Sequence, residues 1–125
     1  MYVARKTELD DLDLARVIHT LHWSVNFGLG DAAPAAPFDT LTPDQQKPLL
    51  RLVEHIKAGG GPAEAQDMWI AHMESLGFRP GKIKDPCATP HPTHPDMVPW
   101  DEMSEWGKAK LEGAFDVVRR FGNVA

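Results

Sequence analysis

Pro80, Pro86, Pro90, Pro92 and Pro95 all fall between Arg79 and Pro99. Each fixes its own φ and lacks a backbone N–H, so this stretch is neither a helix nor an interior strand. Glycine-bordered turns lie at its start, and at most a short extended piece is expected near 82–84, at Lys82-Ile83-Lys84. The prolines turn the rest into a strap with a pinned path. The regular, apolar elements of the chain must pack on either side of it.

Apolar spacing predicts four such elements, all helical. Over 8–26, Leu14, Ile18, Leu21 and Val25 recur at three- and four-residue steps, and Asp10, Asp11 and Asp13 sit in the first turn, where the helix dipole favours negative charge. Gly28 and Gly30 stop this helix, while His19, His22 and Trp23 flank its stripe at the edge of a core. An Ala- and Pro-rich loop follows over 31–38. Thr42-Pro43-Asp44-Gln45 reads as a capping box with proline at the first helical position, and Leu49, Leu52, Val53 and Ile56 form the buried face of the second helix. Pro48 predicts a distorted or delayed start. Gly59-Gly60-Gly61 ends the helix; without the flanking pattern of a phosphate loop it is read as a linker. Pro62 opens a third helix with Met68, Trp69, Met73 and Leu76 inward, closed by Gly77. The fourth starts near Ser104 and buries Leu111, Ala114, Phe115, Val118 and Phe121, with Arg119 and Arg120 at its negative end. The tail after Gly122 is expected to fray. The expected fold class is mainly α.

A chain of 125 residues with 42% hydrophobic content supports one core and one domain. The net charge of −5 argues against general nucleic-acid binding, which needs a surplus of cations to neutralise phosphates. Cys87 is the only cysteine, which leaves no internal disulfide and no cysteine zinc cluster and suits a reducing compartment. No window approaches the roughly 20 apolar residues of a membrane span, and the start of the chain leads into an acidic run, so the expected location is cytoplasmic.

The chain also echoes itself. Pro37-Phe38-Asp39-Thr40-Leu41-Thr42 before one helix matches Pro99-Trp100-Asp101-Glu102-Met103-Ser104 before another. This suggests two helix–loop–helix halves, approximately 14–56 and 64–121, about a pseudo-twofold axis.

An ordered series of residues carries a family resemblance. Trp69, Gly77-Phe78, Gly81, Lys84-Asp85, His94-Pro95, Val98-Pro99-Trp100-Asp101-Glu102-Met103 and Lys108 follow one another at characteristic spacing. They are preceded by Ala15-Arg16-Val17-Ile18-His19, Gly30-Asp31, Gln46-Lys47 and Val53-Glu54-His55. The series resembles the RyR domain, the repeat module of ryanodine receptors, in its stand-alone bacteriophage and bacterial form. Departures are Phe78 and Pro80 where the motif has Trp and Tyr, Gln66 in place of a histidine, and extra residues between Asp85 and His94. The resemblance implies tandem helical units and a phage-encoded, non-enzymatic module that recognises a nucleotide-derived signal and sequesters it in an anti-defence role. The implied partner is an adenine nucleotide, an ADP-ribose-type compound or a cyclic nucleotide in the host cytoplasm. No cofactor, metal or catalytic residue is expected, and self-association into a homo-oligomer is left open.

The side chains are compatible with that ligand. A flat ring wants an aromatic face, which Trp100, Phe78 or Trp23 offers; Arg79, Lys82 and Lys84 offer cations to phosphates, Asp85 an acceptor to ribose hydroxyls, and His94 lies beside them. Each also has a plainer reading. Trp69 is the natural core anchor of its helix, Lys82 and Lys84 a solvated face, Asp85 a turn residue, and His94 a loop-fixing hydrogen-bonder. Two other functions compete: a protein–protein adaptor using Trp106, Met97 and Met103, and a metal-dependent hydrolase using His91 and His94 beside Asp96 and Asp85. Pro92 and Pro95 hinder convergence of such ligands, and Cys87 lacks the framing that activates a thiol.

Overall fold

The computed structural model describes residues 8–28 and 36–122; the N-terminal run, Gly30-Asp31 with the first part of the Pro-rich loop, and the tail beyond Gly122 lie outside them. The fold is mainly α. Its helices are α1 (Asp11–Gly28), α2 (Pro43–Lys57), α3 (Pro62–Ser75) and α4 (Glu105–Phe121), with single 3-10 turns at Phe38–Thr40 and Trp100–Glu102. No helix among the described residues is long and apolar enough to cross a membrane.

Local capping chemistry starts the helices where the residues demand it. Thr42 Oγ1 accepts from the Gln45 N–H at 3.2 Å and Gln45 Oε1 accepts from the Thr42 N–H at 2.9 Å, closing the capping box of α2. Ser104 Oγ accepts from the Gly107 N–H at 3.1 Å and caps α4. Pro48 neither delays nor breaks α2, which runs through it from Pro43. It withholds one N–H from the Asp44 carbonyl, a loss that the rest of the helix absorbs.

The two copies of the six-residue echo take the same backbone course. Pro37 (φ −54°, ψ 145°) and Pro99 (φ −57°, ψ 156°) each lead into a 3-10 turn, and Leu41 and Met103 each return an N–H to Phe38 O or Trp100 O. The first turn packs on α1 and the second on α3.

The core belongs to α1, α2 and α4. Leu14, Ile18, Val53 and Val118 are completely buried, joined by Ala15, Phe38, Ile56, Ala114 and Phe115. Helix α3 contributes only Ala65 to this cluster and buries Gln66 beside it. The expected inner face of α3 therefore needs correction: Met68 and Leu76 are exposed, and Trp69 and Met73 are half-buried. Small Ala65 brings α3 against the core at one end, and its large apolar side chains border open space instead. Phe121, also expected inside, is 48% exposed, because the last turn of α4 has run past the core.

The strap folds back on itself. Strand β1 (Arg79–Pro80) pairs in parallel with β2 (Thr93–His94), Arg79 opposite Thr93 and Pro80 opposite His94. The extended piece thus lies ahead of the expected 82–84. Thr93 is held from two sides, by this pairing and by an antiparallel bridge in which it exchanges two backbone hydrogen bonds with Asp85 at 2.9 and 3.0 Å. The residues between those anchors only arch from one to the other, and Thr93 Oγ1 ties the arch down through Ile83 O at 2.9 Å.

Candidate functional site

Because α3 leans away from the three-helix core, a cleft of about 780 Å³ opens between them. Helix α1 lines it with His19, His22 and Asn26, at three- and four-residue steps on one face. Helix α2 presents Lys47, Pro48, Arg51 and Leu52, and α4 presents Gly107, Lys110 and Leu111. The far wall is α3, through Gln66, Trp69, His72 and Met73, with His94 and Asp96 from the strap.

The strap is fastened to this wall by Gln66, whose Nε2 donates to Asp96 O at 2.8 Å and Val98 O at 2.9 Å. One turn along α3, the Trp69 ring meets His94 edge to face, centroids 5.0 Å apart and planes at 79°. The Asp96 N–H donates to His94 Nδ1 at 3.1 Å, so that nitrogen bears no proton. Burial lowers the His94 pKa; Asp96 opposes the shift, and Lys84 and Lys110 add to it. Across the cleft, His22 donates Nε2–H to Lys110 O at 3.0 Å, and burial pushes its pKa down to about 4. Lys110 Nζ donates to Asn26 Oδ1 at 3.1 Å and stands 3.8 Å from Asp96 Oδ2. These bonds link α1, α4, the strap and α3 in one polar network around the cleft.

The rim is charged. Lys47 and Arg51, four residues apart on α2, make no hydrogen bond or ion pair with a described residue; Asp44 lies on the same rim.

Of the eight side chains picked out from the sequence, His94 lines this cleft and the other seven do not. Trp23 stacks on Phe27, centroids 5.4 Å apart and planes at 11°. Phe78 is half-buried just past α3, and Arg79 folds back to donate to its carbonyl at 2.9 Å. Lys82 and Lys84 are exposed on the arch, Lys84 close enough for its charge to act on His94. Asp85 Oδ1 accepts from the Cys87 N–H at 3.0 Å, the bond of a turn residue. Trp100 is half-buried in its 3-10 turn, with the Lys108 ammonium 5.7 Å from its ring centre. Trp69, read as core, is instead part of the cleft wall.

The sequence reading passed over Gln66, His22, Lys47, Arg51 and Lys110 as site residues. The helical spacing of Lys47 with Arg51 and of His19 with His22 was the available signal. Nothing local marks Gln66, whose partners lie 30 and 32 residues away.

The surface proposed for an adaptor does not form as drawn. Met97 is buried and Met103 lines the cleft, which leaves Trp106 alone in the open at 60% exposure. Among the described residues no three His, Cys, Asp or Glu side chains gather as a metal site would require, and His91 is an exposed strap residue that is not part of the cleft lining. Comparison of the chain with protein-family models, with curated proteins and with solved structures found no match.

Proposed function

We propose that this protein is a non-enzymatic small-molecule-binding module whose cleft receives a nucleotide-derived ligand: an adenine nucleotide, an ADP-ribose-type compound or a cyclic nucleotide. The observation that carries the reading is the cleft itself. Its 780 Å³ falls within the roughly 300–1,000 Å³ typical of small-molecule sites, and an aromatic wall at Trp69 stands in it together with the cationic rim of Lys47 and Arg51. A ring packs against the first and a phosphate against the second.

His22 favours binding over catalysis. His22, with a pKa near 4, stays neutral around pH 7 and holds one fixed hydrogen bond, so it is poorly matched to proton transfer there. The resemblance to stand-alone RyR modules belongs to the same proposal. Four positions that carry it meet in two pairs, Trp69 with His94 and Trp100 with Lys108, which favours a working unit over scattered coincidence. In a phage-encoded module such a cleft would act by sequestering a signalling compound in the host cytoplasm.

Isothermal titration of the full chain with AMP, ADP-ribose and a cyclic dinucleotide tests the reading. Saturable heat with one ligand per chain is expected for at least one of them. A folded protein that gives none with all three contradicts it.

A further inference from the structure

Several groups lining the cleft have hydrogen-bonding roles dictated by what their other ends hold. Gln66 is only 4% exposed, and its Nε2 gives both N–H bonds to the carbonyls of Asp96 and Val98. Two carbonyl partners on one nitrogen settle the orientation of the amide and leave Oε1 as its acceptor end. That oxygen bonds no described residue. Yet no fully enclosed side-chain oxygen or nitrogen among the described residues lacks a partner, so Oε1 keeps accessible surface, and Gln66 is one of the residues that line the cleft.

The same logic applies to the two histidines. His22 spends Nε2–H on a carbonyl that can only accept, and in the neutral ring Nδ1 is then a bare acceptor. His94 accepts at Nδ1 from the Asp96 N–H, so in the neutral ring Nε2–H is a donor. Neither remaining nitrogen bonds a described residue, and both rings line the cleft. Two acceptors and one donor, all uncharged, are thereby held in place by bonds to the backbone.

We propose that Gln66 Oε1, His22 Nδ1 and His94 Nε2–H read the edge of a planar, uncharged heterocycle that carries amino or ring N–H donors beside a ring nitrogen or carbonyl acceptor, while Lys47 and Arg51 hold the anionic group attached to it. This rests on the binding function proposed above and narrows it: the ring edge, not the phosphate, sets which compound is retained. A 6-aminopurine has the required chemistry, with amino hydrogens for the two acceptors and a ring nitrogen for His94. A sugar phosphate without such an edge leaves buried polar groups unmatched, which is how sites built to hydrogen-bond a ligand reject analogues that lack the bonding atoms.

The test is calorimetric titration of the full chain with AMP, adenosine and ribose 5-phosphate, in wild type, His94→Gln, His94→Phe and a Lys47→Ala/Arg51→Ala double variant, each first checked for an intact thermal transition. AMP should bind, adenosine about tenfold more weakly, and ribose 5-phosphate at least about a hundredfold more weakly. His94→Gln, whose amide nitrogen can stand in for Nε2–H, should stay within about threefold of wild type, while His94→Phe should lose about tenfold or more for AMP and adenosine alike. The double variant should bring AMP down to the level of adenosine and leave adenosine unchanged. If ribose 5-phosphate binds as tightly as AMP, or if His94→Phe equals His94→Gln, edge reading is overturned while a binding cleft survives. No heat with any of the three probes overturns edge reading; the broader binding function falls only if ADP-ribose and a cyclic dinucleotide give none either.

Discussion

His22 on α1 donates its Nε2–H to the backbone carbonyl of Lys110 on α4 across 3.0 Å, and burial holds its ring neutral down to a pKa of about 4. The bond spans the pair of helices that share the core most extensively, and it stands at the edge of the cleft. Fold stability and site chemistry therefore meet in one side chain.

Stability should fall in mild acid. An unfolded histidine titrates near 6.5, so between about pH 6.5 and 4 the unfolded chain binds a proton that folded His22 refuses. The contribution of the neutral ring is complete above that window and is lost as pH drops through it, by up to about 3 kcal/mol at 1.36 kcal/mol per unit. His94, lowered by burial as well, acts in the same direction. His22→Gln keeps a donor for Lys110 O without titrating, and urea denaturation at pH 7.5 and 4.5 should show a smaller acid loss in that variant. An undiminished loss would mean that His22 is not its source.

Trp69→Ala should cost less stability than its size suggests. Leu14 is completely enclosed, and Leu14→Ala should remove about 3–4 kcal/mol. Trp69 is half-buried on a cleft wall, and its loss should cost about 1–2 kcal/mol, because part of the ring already faces open space. Chemical denaturation of the two variants side by side measures the difference; a Trp69 penalty at or above that of Leu14 would place it in the core after all.

The repeated caps should be energetically alike. Thr42→Ala and Ser104→Ala each remove a side-chain acceptor from an N-terminal amide and should each cost about 1 kcal/mol. Thr42→Ser should be nearly neutral. Thermal melts of the three variants check this, and a silent Thr42→Ala would show that the capping box contributes nothing.

Lys84→Ala should leave ligand affinity within about twofold, because the side chain stands outside the cleft, where Arg51→Ala should weaken an anionic ligand about tenfold. Removing the Lys84 charge should also let the His94 pKa rise. NMR titration of the His94 ring in both proteins reads this second effect, and a pKa unchanged or lowered in Lys84→Ala would contradict the arrangement.

What was legible in the chain was local. The Thr42-Pro43-Asp44-Gln45 cap and the end at Gly59 are decided within a few residues, and α2 begins and ends where they say. The face of α3 was not legible: Met68, Met73 and Leu76 have the spacing of a core stripe, and nothing near them tells that Met68 and Met73 border a cleft while Leu76 lies exposed. That outcome depends on Ala65 being small and on Gln66 bonding a strap about thirty residues away. The strand register was hidden for a similar reason, since Thr93 serves both Arg79 and Asp85 and so leaves 82–84 as an arch. His94 was identifiable from its motif, whereas its place opposite His22 required the tertiary fold.

The most direct test of the binding function proposed for the cleft is a ¹⁵N-resolved NMR titration with ADP-ribose that follows the four tryptophan indole N–H signals. Trp69 lines the cleft, and Trp23, Trp100 and Trp106 do not. The Trp69 signal should shift progressively to saturation while exposed Trp106 stays still. A shift centred on Trp100 with Trp69 unmoved, or no shift at any of the four, would contradict the account.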